Sequence, residues 1–301
     1  MNSGKTGFLA GAGLAILAAF IWSGNFIIAR GVHDRIPPIS LAFYRWLVAS
    51  LILFPFSLPY LKKEWPIVRR SAAYLFFVAL SGVTLFNTLV YVGAHYTPAI
   101  NLTLIGTTSS PIMATVMAYF FLREPIGWNK WAGLAICVCG VLFLLCQGNP
   151  GHLLSLHFST GDLWVLSAAC CFAVYNTLVK KKPAGLSPLH FLALIFAIGT
   201  LLLVPFFLYE KMHAPAVSWS ARVTGSILYL GIGASAFCFW IWNLAITRIG
   251  ASRTIIFGNL IPVFGTLGSI LILGEKLYWF HMVSMLIVFA GILVANLRIR
   301  A

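Results

Sequence analysis

Long unbroken apolar stretches alternate with short polar joints along the whole chain. Each stretch is about 20 residues long, the length at which an α-helix crosses the hydrocarbon of a bilayer. Ten such helices are predicted, over about 8–30, 39–61, 72–94, 98–121, 128–147, 161–181, 187–209, 223–247, 250–273 and 278–297. The runs are continuously apolar rather than alternating, which excludes the strands of a membrane barrel. Proline marks the joints. Pro37, Pro38, Pro98, Pro125, Pro183 and Pro188 fall at or near predicted ends, where a missing N–H costs least. No joint is long enough for an extramembrane domain. The first segment has the look of a leader, with Lys5 ahead of Phe8 to Ile21. The apolar run continues to Ile28, however, and the segment recurs mid-chain, so a retained first span is predicted.

Composition sharpens this picture. Of 301 residues, 60% are hydrophobic and 9% charged. Soluble domains carry roughly 25% charged residues, so a soluble enzyme is excluded. The net charge of +14 does not signal nucleic acid, because the basic residues are scattered in short clusters between apolar runs. They fit membrane orientation instead. With the N-terminus inside, 14 Lys and Arg fall on inner segments, among them Lys62, Lys63, Arg69, Arg70, Lys180, Lys181, Lys182, Arg298 and Arg300. Five fall outside: Arg30, Arg35, Lys211, Arg222 and Lys276. Both termini are therefore expected to be cytoplasmic. The six cysteines, Cys137, Cys139, Cys146, Cys170, Cys171 and Cys238, lie in apolar runs. Their spacings match neither a metal site nor a redox pair, and no metal or cofactor is expected.

The chain also repeats itself. At an offset of 151, Thr103, Ile105, Pro111 and Thr115 match Thr254, Ile256, Pro262 and Thr266, and Leu122, Glu124 and Trp128 match Leu273, Glu275 and Trp279. Earlier in each half the offset is 150, pairing Pro38 and Pro55 with Pro188 and Pro205. Each half, 1–150 and 151–301, holds five predicted spans. Five is odd, so the second half enters the membrane from the opposite side. The predicted fold class is an all-α polytopic membrane protein, ten transmembrane helices as two inverted-topology five-helix repeats. Such repeats are typical of secondary transporters.

Several short motifs in fixed order narrow the class. They are Trp22-Ser-Gly-Asn25, then Pro37-Pro-Ile-Ser40 with Tyr44-Arg45, then Leu122-Arg-Glu-Pro125 closing a proline-containing fourth span. A Gly-rich fifth span follows, and a second copy ends in Leu273-Gly-Glu-Lys276. This pattern resembles the drug/metabolite transporter superfamily, and within it the EamA-type ten-span permeases, over essentially the whole chain. The resemblance implies transport of small solutes, often export of amino acids or related metabolites. It also implies a central cavity lined by the first, third, fourth, sixth, eighth and ninth spans.

Polar side chains in hydrocarbon are costly unless they face protein or water. Thr84, Asn87, Thr88, Tyr91 and His95 share one face of the third span. Ser235, Trp242 and Asn243 are their counterparts in the eighth. They either line a cavity or bond helix to helix, and the resemblance favours the cavity for Asn87 and Tyr91. Thr108 precedes Pro111 as Asn259 precedes Pro262. These helices line a polar cavity, or a Ser/Thr cluster satisfies the carbonyl that proline frees. Asn25 and Asn176 sit mid-to-late in their helices, accompanied by Trp22, Tyr175 and Trp240. Trp22 and Trp240 lie too deep for an interfacial belt, so the group is assigned to the cavity, whereas Trp128 and Trp279 suit the belt. Arg45, two turns into the second span, either snorkels to the interface or pairs structurally, or it binds a substrate carboxylate. Glu124 and Glu275 end equivalent spans at opposite faces and are read as gate or fold determinants. His95 and His190, near span ends, are read as capping or interfacial residues.

The substrate-binding candidates are thus Trp22, Asn25, Asn87, Tyr91, Thr108, Tyr175, Asn176, Trp242 and Asn259. The gate or structural candidates are Arg45, Glu124, Glu275, Pro111 and Pro262. No Asp or Glu stands near a span centre, and there is no phosphate-binding Walker loop. The function expected is export of a small polar metabolite, an amino acid or a related aromatic or cationic compound, by alternating access across a bacterial inner membrane. The partners expected are a small-molecule substrate and membrane lipid, without nucleic acid; a homodimer is compatible with the sequence. The rivals are a membrane-embedded lipid-modifying enzyme, which needs clustered His, Asp or Glu, and a sensor without transport.

Overall fold

The computed structural model describes residues 2–149, 151 and 159–296. Arg298 and Arg300, counted above as inner charges, lie outside the described residues. The helices are α1 Asn2–Gly31, α2 Pro38–Arg70, α3 Ala72–Gly93, α4 Ala99–Leu122, α5 Trp128–Leu145, α6 Thr160–Val179, α7 Pro188–His213, α8 Ala221–Ile249, α9 Ala251–Gly258, α10 Ile261–Leu273 and α11 Trp279–Asn296. Among the described residues nine stretches are long and apolar enough to cross a membrane. The ninth, Ile256–Leu273, joins α9 to α10, and the apolar part of α11, Trp279–Ala295, is slightly shorter. The protein is an all-helical integral membrane protein.

The starts follow the local chemistry. Pro38 and Pro188 occupy the first turns of α2 and α7, where their missing N–H groups would have had no helical acceptor. Helices α4 and α10 end alike. Residues Arg123 and Gly274 adopt left-handed backbone, with φ of 55° and 67°. The next amide then reaches back six residues, Glu124 to Ala118 and Glu275 to Ser269, which satisfies a terminal carbonyl. Helix α2 overruns its predicted end at 61 and continues to Arg70. The apolar pattern stops at Lys62, but Glu64 one turn later is held by another helix, so the charged extension stays wound.

Two helix pairs cross in antiparallel fashion. In α2 and α7, Ser40 meets Glu210, Ser50 meets Thr200, and Glu64 meets His190. In α5 and α11, Gly133 packs on Ala295, the Cys137 thiol donates to the Val288 carbonyl, and Ser284 donates to the Gly140 carbonyl. The central contacts join residues 150 and 151 apart, which are the offsets of the sequence repeat.

The interior mixes large apolar side chains such as Trp46, Leu75 and Phe196 with small ones at the helix crossings, and large apolar side chains also cover the outside. Ala15, Ala18 and Ala19 of α1 and Ala168, Ala169 and Ala173 of α6 are buried, whereas Leu9, Phe120, Phe121, Leu271 and Leu286 are exposed. Small residues at the crossings and an apolar outside suit a hydrocarbon surround, in which close backbone approach rather than water exclusion holds helices together. Both α3 and α8 contain a wide-turn π segment, Leu80–Leu85 and Tyr229–Phe237. A π turn frees a residue to point away from the helical stripe. Gly82, in the first, lies so close under the Tyr175 ring that a Cβ would collide with it. In the second the tight position is Gly231, against Val48 and the Arg45 carbonyl, and not Gly233.

Candidate functional site

Helices α1, α2, α3 and α8 meet around Arg45. Its side chain does not snorkel. It is 5% exposed and turns into the bundle. Nη1 donates to Asn25 Oδ1 at 2.7 Å, to Tyr91 Oη at 2.7 Å and to Asn87 Oδ1, while Nε donates to Ser235 Oγ at 3.1 Å. Tyr91 in turn donates to Asn25 Oδ1 at 2.9 Å. The guanidinium carbon lies 4.6 Å from the Trp46 ring centre. Asn87 and Tyr91 are one turn apart on α3, which places both on the face toward α1 and α2. Ser235 lies in the π segment, and its hydroxyl also donates to the Leu230 carbonyl five residues back.

Three residues before Asn25 on α1, Trp22 donates its indole N–H to the Ala234 carbonyl at 2.9 Å. Its ring lies 5.0 Å from that of Trp242. Trp242 rests against Gly258, and Gly258 lines a cavity of about 390 Å³ between α4, α5, α9, α10 and α11. Thr107, Thr108, Thr115, Lys130 and Asn259 supply its polar wall. The cavity lies toward the end of the bundle that carries Glu124, the side of Lys130 and Ala295.

The two prolines there act differently. Pro111 interrupts nothing, and α4 runs continuously through it. Thr103, Thr107 and Thr115 each donate to the carbonyl four residues earlier, although among the described residues no hydroxyl reaches the Thr107 carbonyl that Pro111 frees. The hydroxyls of Ser109 and Ser110 are buried without partners among the described residues. Pro262 follows Gly258 and Asn259, poor helix formers, and there the ninth span breaks between α9 and α10.

Of the sequence candidates, Asn25, Asn87, Tyr91 and Arg45 form one cluster, Trp22 and Trp242 touch beside it, and Thr108, Asn259, Pro111 and Pro262 line the cavity. Tyr175 stands apart, buried between Gly82 and Phe172. Asn176 is half-buried and makes no hydrogen bond among the described residues. Two further expectations fail. Trp240 is 62% exposed on the lipid side, because it stands two residues from Trp242 on α8 and so on another face. Asn243 is exposed and bonds its own helix at Phe239.

The acids cluster at helix ends. Glu210 of α7 accepts from the Ile39 and Ser40 amides and the Ser40 hydroxyl. Glu64 of α2 accepts from the Ser187 amide and His190 Nδ1. Glu275 accepts from the Ala99 and Ile100 amides at the start of α4, at 2.7 and 3.0 Å. Its counterpart Glu124 instead pairs with Lys180 at 2.8 Å, both half exposed, and the first turn of α9 has no side-chain cap. Beside Glu275 lie Arg30, His33, Asp34 and Arg222 in a shallow polar hollow. His95, near His33 there, is held below the usual histidine range, first by burial and then by the His33 and Arg30 charges. One network escaped the sequence reading. Asp162 accepts from Thr97 and Asn101, and Asn101 Oδ1 meets His281 Nε2. Its members lie near the ends of separate spans and share no sequence pattern.

The profile of the EamA-like transporter family matches residues 9–146 and again 159–297. The chain belongs to that family. Relatives include an uncharacterized transporter of Archaeoglobus fulgidus, 28% identical over 93% of this chain and 94% of that protein. A probable terminal-alkyne amino-acid exporter of Streptantibioticus cattleyicolor is 27% identical over 94% of this chain and 92% of its own. An S-adenosylmethionine uptake transporter of Rickettsia conorii is 28% identical over 67% of this chain and 66% of its own. A crystal structure with 16% sequence identity superposes with a TM-score of 0.61 over 95% of this chain and 97% of that one, so the fold is shared. The protein is a membrane transporter, and the lipid-modifying enzyme is set aside.

Proposed function

We propose that this transporter exports a small polar metabolite, an amino acid in the best-supported case, across a bacterial inner membrane by alternating access. On this reading residues 1–150 and 151–301 are inverted halves, with both termini cytoplasmic, that rock about an axis near Ser50–Thr200 and Cys137–Val288. Trp22, Asn25, Arg45, Asn87, Tyr91 and Trp242 contact the solute. The observation that carries the proposal is the unequal state of two equivalent glutamates. Glu275 clasps the first turn of α4, and on this reading that clasp closes one end. Glu124 leaves the first turn of α9 uncapped and pairs with Lys180, at the end where the cavity lies. Exchange of these two arrangements would expose the solute site to the other side. Relatives named for an amino acid and for S-adenosylmethionine support the substrate class, and their opposite directions leave export to rest on the resemblance alone.

Counterflow of labelled amino acids into vesicles containing the pure protein tests the reading. Asn87→Ala and Tyr91→Ala should each cut flux about tenfold or more while the protein stays folded by melting and size exclusion. Undiminished flux in both removes the cluster from the transport path.

A further inference from the structure

Arg45 carries a full charge that no acid among the described residues neutralises. All six acids are described. Glu64, Glu124, Asp162, Glu210 and Glu275 are engaged at helix ends, and Asp34 lies in the hollow beside Glu275. Neutral oxygens and the Trp46 ring soften the cost of burial but leave the net charge.

The unused hydrogen-bonding capacity of the cluster is one-sided. A guanidinium only donates, so the amide atoms of Asn25 and Asn87 that face it are oxygens. Their Nδ2 groups therefore point elsewhere, and among the described residues neither meets an acceptor. Tyr91 has already spent its hydrogen on Asn25. Arg45 Nη1 is shared among three oxygens, while Nη2, with two hydrogens of its own, has no partner among the described residues. What remains is three donor nitrogens and a positive charge, on side chains 5%, 6% and 2% exposed.

We infer that this cluster is a receptor for a carboxylate group of the transported solute. A carboxylate only accepts, spreads its charge over two oxygens and fits an arginine better than any neutral acceptor does. One oxygen would take Nη2 and the other an Asn Nδ2, so the solute supplies the counter-charge that the protein lacks. An aromatic or apolar remainder would lie toward Trp22 and Trp242. A solute bearing only positive charge meets repulsion here. The inference rests on the transporter reading, and narrows its substrates to carboxylates.

The test uses the detergent-purified full chain and matched compounds: amino acids from alanine to tryptophan, their carboxamides, and the amines left by removing the carboxylate. Carboxylates should raise the melting temperature of the wild type in a dose-dependent way; carboxamides and amines should not. Arg45→Lys should weaken the response about 10- to 100-fold, and Arg45→Gln should remove it. Asn87→Asp guards against a fold lost with the arginine. It places a carboxylate beside Nη1, so the melting temperature without ligand should rise and the response to added carboxylates should vanish. A purely structural Arg45 would give the first effect without the second. The inference is overturned if carboxamides or amines stabilise the wild type as well as carboxylates do, if no carboxylate shifts it, or if Asn87→Asp keeps the response. Flux separates the two claims. Vesicles in which Arg45→Gln carries solutes as the wild type does would sink the carboxylate receptor and spare the transporter. Carboxylate binding without flux of any solute would do the reverse.

Discussion

The antiparallel pair α2 and α7 and the equivalent spans α4 and α9–α10 use the same device with different results. In the first, each helix lends a glutamate to the other's start, Glu64 to Ser187 and Glu210 to Ser40. Both clasps are made, and both carboxylates are buried. In the second, only Glu275 is engaged, and Glu124 has turned to an exposed lysine. A device made at both ends is scaffold. On the proposed reading, a device made at one end is one that a second state would make at the other. Chemistry does not separate the pairs, since all four residues are glutamates near helix ends. Engagement does.

The comparison breaks most severely at the scaffold. Glu210→Ala strands the Ile39 and Ser40 amides in the interior, and should cost about 2–4 kcal/mol of stability, read as a lowered melting temperature and poor recovery of folded protein. At Glu275 and Glu124 the losses should be smaller and should differ between the ends. Glu275→Gln keeps one acceptor, costs about 1–2 kcal/mol, and should speed hydrogen exchange at Ala99 and Ile100. Glu124→Gln gives up only an exposed ion pair and should change stability by less than about 0.5 kcal/mol, yet slow flux by denying the other state its clasp. Equal effects of the two substitutions on exchange and flux would dissolve the distinction. The smallest effect sharpens it. Arg123 adopts the left-handed backbone that its counterpart Gly274 adopts freely, so Arg123→Gly should stabilise the protein by about 1 kcal/mol with the gate intact.

Much of this was legible in the chain because hydrocarbon imposes a length and a composition on each span. The ten apolar runs, the offset of 150–151 and the polar face of α3 all surfaced that way. The convergence of Asn25, Asn87 and Tyr91 on Arg45 did not, since it depends on how three helices rotate about their axes, and apolar runs carry little rotational signal. Trp240 shows the cost: depth alone put it inside, and two helical steps from Trp242 turn it outward. The broken ninth span was half visible, in Gly258-Asn259 ahead of Pro262. The π segments had no sequence warning beyond glycine.

Ser50 meets Thr200 at the crossing of α2 and α7, one repeat length away. A position that confronts its own duplicate faces an unusual demand, because two identical groups must satisfy each other. Carboxylates would repel, ammoniums would repel, and a carbonyl would face a carbonyl. A hydroxyl both gives and takes a proton bond, so it is self-complementary.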